Sequence, residues 1–129
     1  MKTEFTISTF LPVLPEKVFR AWLSSEGHSA MTGSPAKVEP RVGSSFSAWD
    51  GYITGKTLEL KPYTRIVQAW RTSEFPDDSQ DSRIEILLEK AGEGTKLTLA
   101  HTDIPEGQAD SYEGGWEDSY FKPMREYFS

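Results

Sequence analysis

The chain has 129 residues, no cysteine, and a formal net charge of −6 from 20 acidic and 14 basic residues. The lack of cysteine excludes disulfides, thiol catalysis and cysteine-ligated metal sites, and the scattered basic residues do not form the basic face of a nucleic-acid-binding protein. The four Trp, five Tyr and seven Phe supply a large apolar area, which suits a thick core or an aromatic-lined pocket.

The N-terminal residues indicate neither a secretory leader nor a membrane anchor. Lys2 and Glu4 lie near the start, and no apolar run of signal-peptide length follows them. No stretch of the chain approaches the roughly 20 apolar residues of a membrane span. We therefore expect a cytoplasmic protein without membrane insertion, folded as one domain over residues 1–129.

The first third of the chain predicts one strand and two short helices. Apolar and polar residues alternate over residues 4–10, which is typical of a strand. Pro15 suits the first turn of a helix, and apolar residues at helical spacing extend that helix to residue 23. A serine cap and one or two turns over residues 25–32 predict a second helix, with His28 in contact with solvent.

The middle of the chain predicts an antiparallel meander. Alternating apolar and polar residues are found in five segments: residues 45–49, 52–60, 65–71, 82–90 and 95–101. Asp50-Gly51 is typical of a tight hairpin, and Gly92-Glu93-Gly94 is typical of another turn. Strands that short turns connect pair antiparallel, so these segments should form one sheet.

The last segment predicts a long helix that covers this sheet. From residue 108 onward, aromatic residues recur every four positions at Tyr112, Trp116 and Tyr120. A helix of about 18 residues is about 27 Å long, which is enough to cross a sheet. Pro123 has no amide proton, so a kink is expected there. The whole pattern predicts an α+β fold with a curved antiparallel sheet, two short helices and the long C-terminal helix across it.

Two adjacent glycines, Gly114 and Gly115, interrupt the helical pattern and should each destabilise a helix interior by about 1 kcal/mol. Either the helix starts after Gly115, or the sheet backbone approaches the helix closely at this point. The sequence favours the close approach.

The element order and several local motifs resemble the family named for the activator of the 90 kDa heat-shock protein ATPase, which we call the Aha-type family. The motifs are Pro15-Glu16-Lys17-Val18-Phe19, Gly43 with Phe46, Asp50-Gly51, Gly55, Leu60-Lys61-Pro62, Ile66-Val67-Gln68-Ala69-Trp70-Arg71, Gly94-Thr95-Lys96-Leu97-Thr98-Leu99, Ile104-Pro105 and Gly115-Trp116-Glu117-Asp118-Ser119-Tyr120-Phe121. The family belongs to the helix-grip superfamily, which also holds the START lipid carriers and the birch-pollen allergen. The resemblance implies a helix-grip fold, and it implies a heat-shock chaperone as one partner to consider.

In a helix-grip fold, the inner face of the last helix roofs a cavity over the sheet. The resemblance therefore places the candidate ligand-binding residues on that helix face and on the inward positions of three strands. They are Trp70, Ile84, Ile86, Leu97, Leu99, His101, Tyr112, Trp116 and Tyr120. In a fully packed domain the same residues would form core without a cavity.

Three functions follow from these observations. The first is a non-catalytic binding domain that holds a small apolar or aromatic molecule in the cavity, without a metal or another cofactor. The alternative is a protein-binding, co-chaperone-like module with apolar contacts at Phe75-Pro76 and Ile104-Pro105. The third is a cyclase-like enzyme that uses His101 and a tyrosine, although sequence spacing fixes no carboxylate or hydroxyl beside His101.

Overall fold

The computed structural model describes residues 2–129, which contain six strands and four α-helical segments. The strands are β1 (Phe5–Leu11), β2 (Ser45–Ala48), β3 (Ile53–Lys61), β4 (Arg65–Thr72), β5 (Ser82–Ala91) and β6 (Gly94–Thr102). The helices are α1 (Pro15–Trp22), α2 (Ser25–Thr32), α3 (Ala109–Trp116) and α4 (Lys122–Phe128). A π-helical turn, Glu117–Phe121, joins α3 to α4, so residues 109–128 form one continuous run that we call the C-terminal helix.

The six strands form one antiparallel sheet in the order β1-β6-β5-β4-β3-β2. The five strands β2 to β6 are neighbours in chain order, as the meander prediction requires. A β-bulge between Thr57 and Glu59 interrupts β3, and bulges of this kind bend the strand and increase its twist. The prediction of an α+β fold with a curved antiparallel sheet and a long C-terminal helix is confirmed.

The sheet buries one face against the helices. Along β5, Ser82, Ile84 and Ile86 are buried, whereas the residues between them are more exposed. Side chains on a strand alternate between two faces, so these three residues point to the same side. The register of β5 and β6 sets Ile84 beside His101 and Ile86 beside Leu99. The apolar core therefore lies between this face of the sheet and the helices.

The two short helices pack against each other and bring His28 into the core. Ser24 caps α2, since its hydroxyl accepts a hydrogen bond from the Gly27 amide. A Cβ at Gly27 would lie 2.8 Å from the Cα of Ala21, so glycine allows this close approach of α1 and α2. The prediction that His28 contacts solvent is wrong, because it is 2% exposed and its ring packs edge-on against Trp22.

The two glycines of the C-terminal helix have neither of the roles that the sequence suggested. The helix begins at Ala109 rather than after Gly115. A Cβ at Gly114 or at Gly115 would meet no heavy atom within 4 Å outside the helix's own backbone, so the predicted close approach of the sheet backbone is wrong. At both positions a larger side chain therefore has room.

A widened helical turn accommodates the internal proline. In a regular α-helix the ring of Pro123 would meet the carbonyl of Ser119. The residues before Pro123 instead form the π-helical turn, in which the Lys122 amide donates to the carbonyl of Glu117, five residues earlier. The distortion predicted at the proline therefore takes the form of a π turn, a feature that is frequent at functional sites.

The connection between β2 and β3 is longer than the tight hairpin that Asp50-Gly51 predicts. It covers residues 49–52, between the end of β2 and the start of β3. Three successive residues are left-handed, with φ of 52° at Trp49, 56° at Asp50 and 87° at Gly51. Glycine adopts this conformation freely and aspartate tolerates it, but a bulky residue such as tryptophan rarely does.

Candidate functional site

A cavity of about 310 Å³ lies between the C-terminal helix and the β2–β4 end of the sheet. Six of the nine residues that border it are aromatic, and none of the nine is charged. They are Trp49, Tyr52, Ile53, Trp70, Tyr112, Gly115, Trp116, Ser119 and Tyr120. Tyr52 is 38% exposed, so the cavity opens to solvent beside the β2–β3 connection. A volume near 300 Å³ with mostly apolar walls is within the range of small-molecule sites.

Four of the nine predicted ligand-binding residues border this cavity, and five do not. The four are Trp70, Tyr112, Trp116 and Tyr120. The other five are fully buried in the core on β5 and β6: Ile84, Ile86, Leu97, Leu99 and His101. Trp116 packs over this part of the sheet and bonds to His101, so the open volume lies toward β3 and β4 instead.

Five residues of the cavity wall were not among the predicted ligand-binding residues. These are Trp49, Tyr52, Ile53, Gly115 and Ser119. Helical spacing could have identified Gly115 and Ser119, because they lie on the same helix face as Tyr112 and Trp116. Trp49 had no such signal, because a left-handed connection rather than a periodic pattern brings it to the cavity.

His101 lies in the core behind Trp116, in a chain of hydrogen bonds that runs from the Trp116 N–H to the Trp70 carbonyl. The indole N–H of Trp116 donates to His101 Nδ1 over 3.1 Å, so the ring carries its proton on Nε2. Nε2 lies 2.8 Å from Ser82 Oγ, which in turn donates to the carbonyl of Trp70 over 2.6 Å. Burial lowers the pKa of His101 to about 3, so the ring is neutral near pH 7. His101 therefore orients Trp116 and has no free nitrogen for acid–base chemistry.

A second buried histidine fixes the other end of the helix face. Nδ1 of His28 donates to the Trp22 carbonyl over 2.9 Å, so its Nε2 accepts a 2.8 Å hydrogen bond from the Tyr120 hydroxyl. Burial lowers the pKa of His28 and raises the pKa of Tyr120, which keeps both groups uncharged. The ring of Tyr120 is thereby held in place on the cavity wall.

Polar contacts also fix the tyrosines at the mouth of the cavity. The Tyr112 hydroxyl donates to Gln108 Oε1 over 2.6 Å and accepts from Thr72 Oγ1 over 2.7 Å. The Tyr52 hydroxyl donates to the carboxylate of Glu74. Burial and this carboxylate raise the pKa of Tyr52 to about 12. Both tyrosines therefore remain protonated and keep fixed positions at neutral pH.

Trp49 differs from Trp116 in the pairing of its indole N–H. Its ring is half-buried against the core and borders the cavity. Its Nε1 is buried and meets no hydrogen-bond acceptor among residues 2–129. Buried polar groups are nearly always paired, so an unpaired one calls for a physical explanation.

The loops predicted to contact a protein partner bury Phe75 and Ile104, although Pro76 is exposed. Phe75 is 4% exposed and packs against Trp70 and Tyr112, and Ile104 is also buried. The prediction of an apolar contact at these two residues is therefore wrong. The large apolar side chains that are exposed lie elsewhere: Phe10, Leu14, Val42, Tyr52, Leu58, Tyr63 and Tyr127.

Metal-binding clusters and membrane-spanning helices are absent from residues 2–129. Over residues 2–129, no cluster of three or more His, Asp or Glu side chains could hold a metal ion. None of the helices in the same range has the length and hydropathy needed to cross a membrane. The wall of the aromatic cavity has no charged residue, whereas two other pockets of the described residues are bordered by Lys37 and by Arg20.

Comparison with known proteins identifies the family. Residues 12–129 match the family described as activator of Hsp90 ATPase homolog 1-like protein. The chain belongs to this family. The human activator of 90 kDa heat shock protein ATPase homolog 1 is 30% identical over 120 residues, which is 93% of this chain and 35% of the relative. A Dictyostelium discoideum homologue of the same activator is 26% identical over 130 residues, or 32% of its length. The chain thus spans about a third of the length of these curated relatives.

Solved structures of Aha-type proteins have the same fold. An HSP90 activator from Plasmodium falciparum has a TM-score of 0.86 and 26% identity, over 94% of this chain and 92% of that chain. The Aha1 dimer from Colwellia psychrerythraea has a TM-score of 0.81 and 15% identity, over 98% of this chain and 96% of that chain. At 15% identity the second likeness concerns the fold alone. The predicted family and helix-grip fold are confirmed.

Proposed function

We propose that this Aha-type domain binds a small, largely apolar aromatic molecule in the cavity between the C-terminal helix and strands β3 and β4, without catalysing a reaction on it. The observation that carries the proposal is the composition of the wall, where six of nine residues are aromatic and none is charged. Stacking and edge-to-face contacts with such a wall favour a planar aromatic ligand.

The fixed positions of the wall residues support a binding site over a packing defect. The N–H of Trp116 and the hydroxyls of Tyr112 and Tyr120 are each paired with a buried or half-buried partner. The rings therefore keep their positions without a ligand, and a ligand would order few side chains on binding. Ser119 and Tyr120 lie on the π turn, so the widened part of the helix coincides with the cavity.

The state of the two histidines supports a function without catalysis. His101 and His28 are buried, and burial lowers the pKa of each ring, so neither is charged at neutral pH. Both ring nitrogens of each histidine already have partners in the core. The cyclase-like hypothesis, which needs His101 as an acid or base, therefore loses its central group.

A pair of glycine substitutions tests the proposal. Gly115 borders the cavity and Gly114 does not, and a Cβ at either position meets no atom within 4 Å outside the helix's own backbone. Gly115→Leu should fill the cavity and abolish binding of small aromatic compounds measured by calorimetry. Gly114→Leu is the matched control, because both changes remove a helical glycine but only one adds volume to the cavity. Equal binding by both variants would contradict the proposed site.

A second candidate function is a co-chaperone-like module that acts on a heat-shock chaperone. The family membership favours it, because the human relative and the Plasmodium falciparum relative are activators of the 90 kDa chaperone. This role predicts that the purified domain raises the steady-state ATPase rate of that chaperone. An unchanged ATPase rate at a saturating concentration of the domain would contradict this role. If Gly115→Leu still raises the rate, the chaperone contact does not depend on the cavity.

A further inference from the structure

The aromatic wall of the cavity is a set of rings that can attract a cation. Three of the six rings are tryptophans, the best of the aromatic side chains for this contact, and the other three are tyrosines. Aromatic cages of this kind bind quaternary ammonium groups, because the face of each ring carries partial negative charge. Over residues 2–129, the Lys and Arg side chains that lie over rings contact Phe5, Tyr63 and Phe75. Among these residues, no side-chain cation therefore lies over a ring of the cavity wall.

The carboxylate of Glu74 adds a negative charge at the mouth of the cavity. It accepts the hydrogen bond of the Tyr52 hydroxyl, and the Glu74 carbonyl accepts from Gln108, which also accepts from Tyr112. Burial raises the pKa of Tyr112, and the charge of Glu74 adds to this rise. The carboxylate therefore lies close to both tyrosines of the mouth. Among residues 2–129, no basic side chain forms an ion pair with it.

Two of the six rings keep free surface beside this mouth. Tyr52 is 38% exposed and Trp49 is half-buried. The other four rings of the wall pack against one another in a row. Neither Trp49 nor Tyr52 has another aromatic ring of residues 2–129 packed against it, so other rings do not cover the faces of these two.

We propose that the mouth of the cavity binds a quaternary ammonium group, and that the ligand is a largely apolar aromatic molecule that carries this cation. The rings of Trp49 and Tyr52 contact the cation, and the carboxylate of Glu74 balances its charge. A quaternary ammonium has no N–H, so it needs no acceptor from the mouth tyrosines, whose hydroxyls already have partners. An anionic ligand would instead be repelled by Glu74. This inference rests on the proposed function and specifies its ligand class.

A matched pair of probes tests the contribution of the charge. Phenyltrimethylammonium and tert-butylbenzene have the same shape, and they differ in a positively charged nitrogen in place of a carbon. We expect the native protein to bind the cation about tenfold more tightly, as a cation–π contact beside a carboxylate implies. Titration of the tryptophan fluorescence with each probe measures both affinities.

Three variants assign this preference to residues. Glu74→Gln keeps an oxygen that accepts from Tyr52 but removes the charge, so the tenfold preference should fall to about threefold. Asp78→Asn is the matched control, because it removes the same charge from an exposed acid of the same loop and should keep the preference. Tyr52→Leu removes an aromatic ring but keeps an apolar side chain, and it should also lower the preference to about threefold.

The outcomes separate this inference from the proposed function. Equal binding of the two probes by the native protein, or tighter binding of tert-butylbenzene, would overturn the ammonium site. A preference that stays tenfold in Glu74→Gln or in Tyr52→Leu would also overturn it. If neither probe binds but the neutral, planar 9-fluorenone does, the ammonium site alone is overturned. If none of the three compounds binds, the proposed function is overturned as well. The comparison in the native protein needs no substitution, so it decides even if a variant does not fold.

Discussion

The two ends of the space under the C-terminal helix differ in packing and in hydrogen bonding. At the β5–β6 end, which we call the packed end, His101 is fully buried and both ring nitrogens are paired. At the β2–β3 end, which we call the hairpin end, a cavity remains and the Trp49 N–H is buried without an acceptor in residues 2–129. The packed end is therefore filled and fully hydrogen-bonded, whereas the hairpin end keeps open space beside the helix.

One residue belongs to both ends. The ring of Trp116 borders the cavity, while its N–H donates to His101 at the packed end. It also packs against Trp22, Trp70 and Tyr120. Substitutions of Trp116 should therefore change both the free energy of unfolding and ligand binding. A substitution at only one end should change mainly one of these two quantities.

The largest expected effect is that of Trp116→Ala. The change removes a buried indole ring and leaves His101 Nδ1 without its donor. We expect the free energy of unfolding to fall by about 3–5 kcal/mol, as for other large-to-small changes in a core. Urea unfolding followed by circular dichroism measures this value. A loss below about 1 kcal/mol would mean that Trp116 is a wall residue without a structural role at the packed end.

The packed end should also weaken in acid, because burial lowers the pKa of His101 to about 3. An unfolded histidine has a pKa of about 6.5, so between these values the unfolded chain binds a proton that the folded chain does not. The stability due to neutral His101 is present above pH about 6.5 and is lost as the pH falls toward about 3. The loss reaches at most about 1.4 kcal/mol per pH unit.

The variant His101→Gln isolates this contribution. Glutamine can accept from Trp116 and donate to Ser82, but it takes up no proton in this range. We expect its unfolding free energy to be below that of the native protein at pH 7. The difference should shrink between about pH 6 and pH 4, where only the native protein loses the contribution of His101, while both proteins retain the same response of the buried His28. Parallel pH profiles for the two proteins would show that His101 is not buried in its neutral form.

The smallest expected effects come from replacing one tryptophan by phenylalanine at each end, in two separate variants. Trp116→Phe leaves Nδ1 of His101 unpaired and should lower the free energy of unfolding by about 1–3 kcal/mol. Trp49→Phe removes an N–H that has no protein acceptor, so the loss should stay below about 1 kcal/mol. Equal losses of unfolding free energy, measured in urea, would show that the packed end and the hairpin end do not differ in hydrogen bonding.

The fold could be predicted because its signals are local and repeated. Alternation over β5 placed Ile84 and Ile86 on one face, and the four-residue period placed Tyr112, Trp116 and Tyr120 on the inner face of the last helix. His28 could not be placed in this way. Its burial depends on the close approach of α1 and α2 at Gly27, which is a contact between helices and leaves no period in the sequence.

The candidate site could be predicted only on its helical side. Tyr112, Trp116 and Tyr120 follow from helical spacing, but the position of the open volume depends on which side chains fill the rest. Trp116 fills the packed end because Ser82 and His101 hold it there, and Ser82 lies on another strand. Trp49 reaches the cavity through three left-handed residues, although Asp50-Gly51 alone indicates a shorter turn.

The claim that the hairpin end is the binding end can be tested most directly on the native protein. The measurement is a ¹⁵N–¹H spectrum of the four indole groups during addition of 9-fluorenone. Trp49 and Trp70 border the cavity, whereas Trp22 lies outside its wall and is bonded to Gln68. We predict that the Trp49 and Trp70 signals shift and saturate together while the Trp22 signal changes little. Shifts confined to Trp22, or no shift at any of the four, would contradict the account.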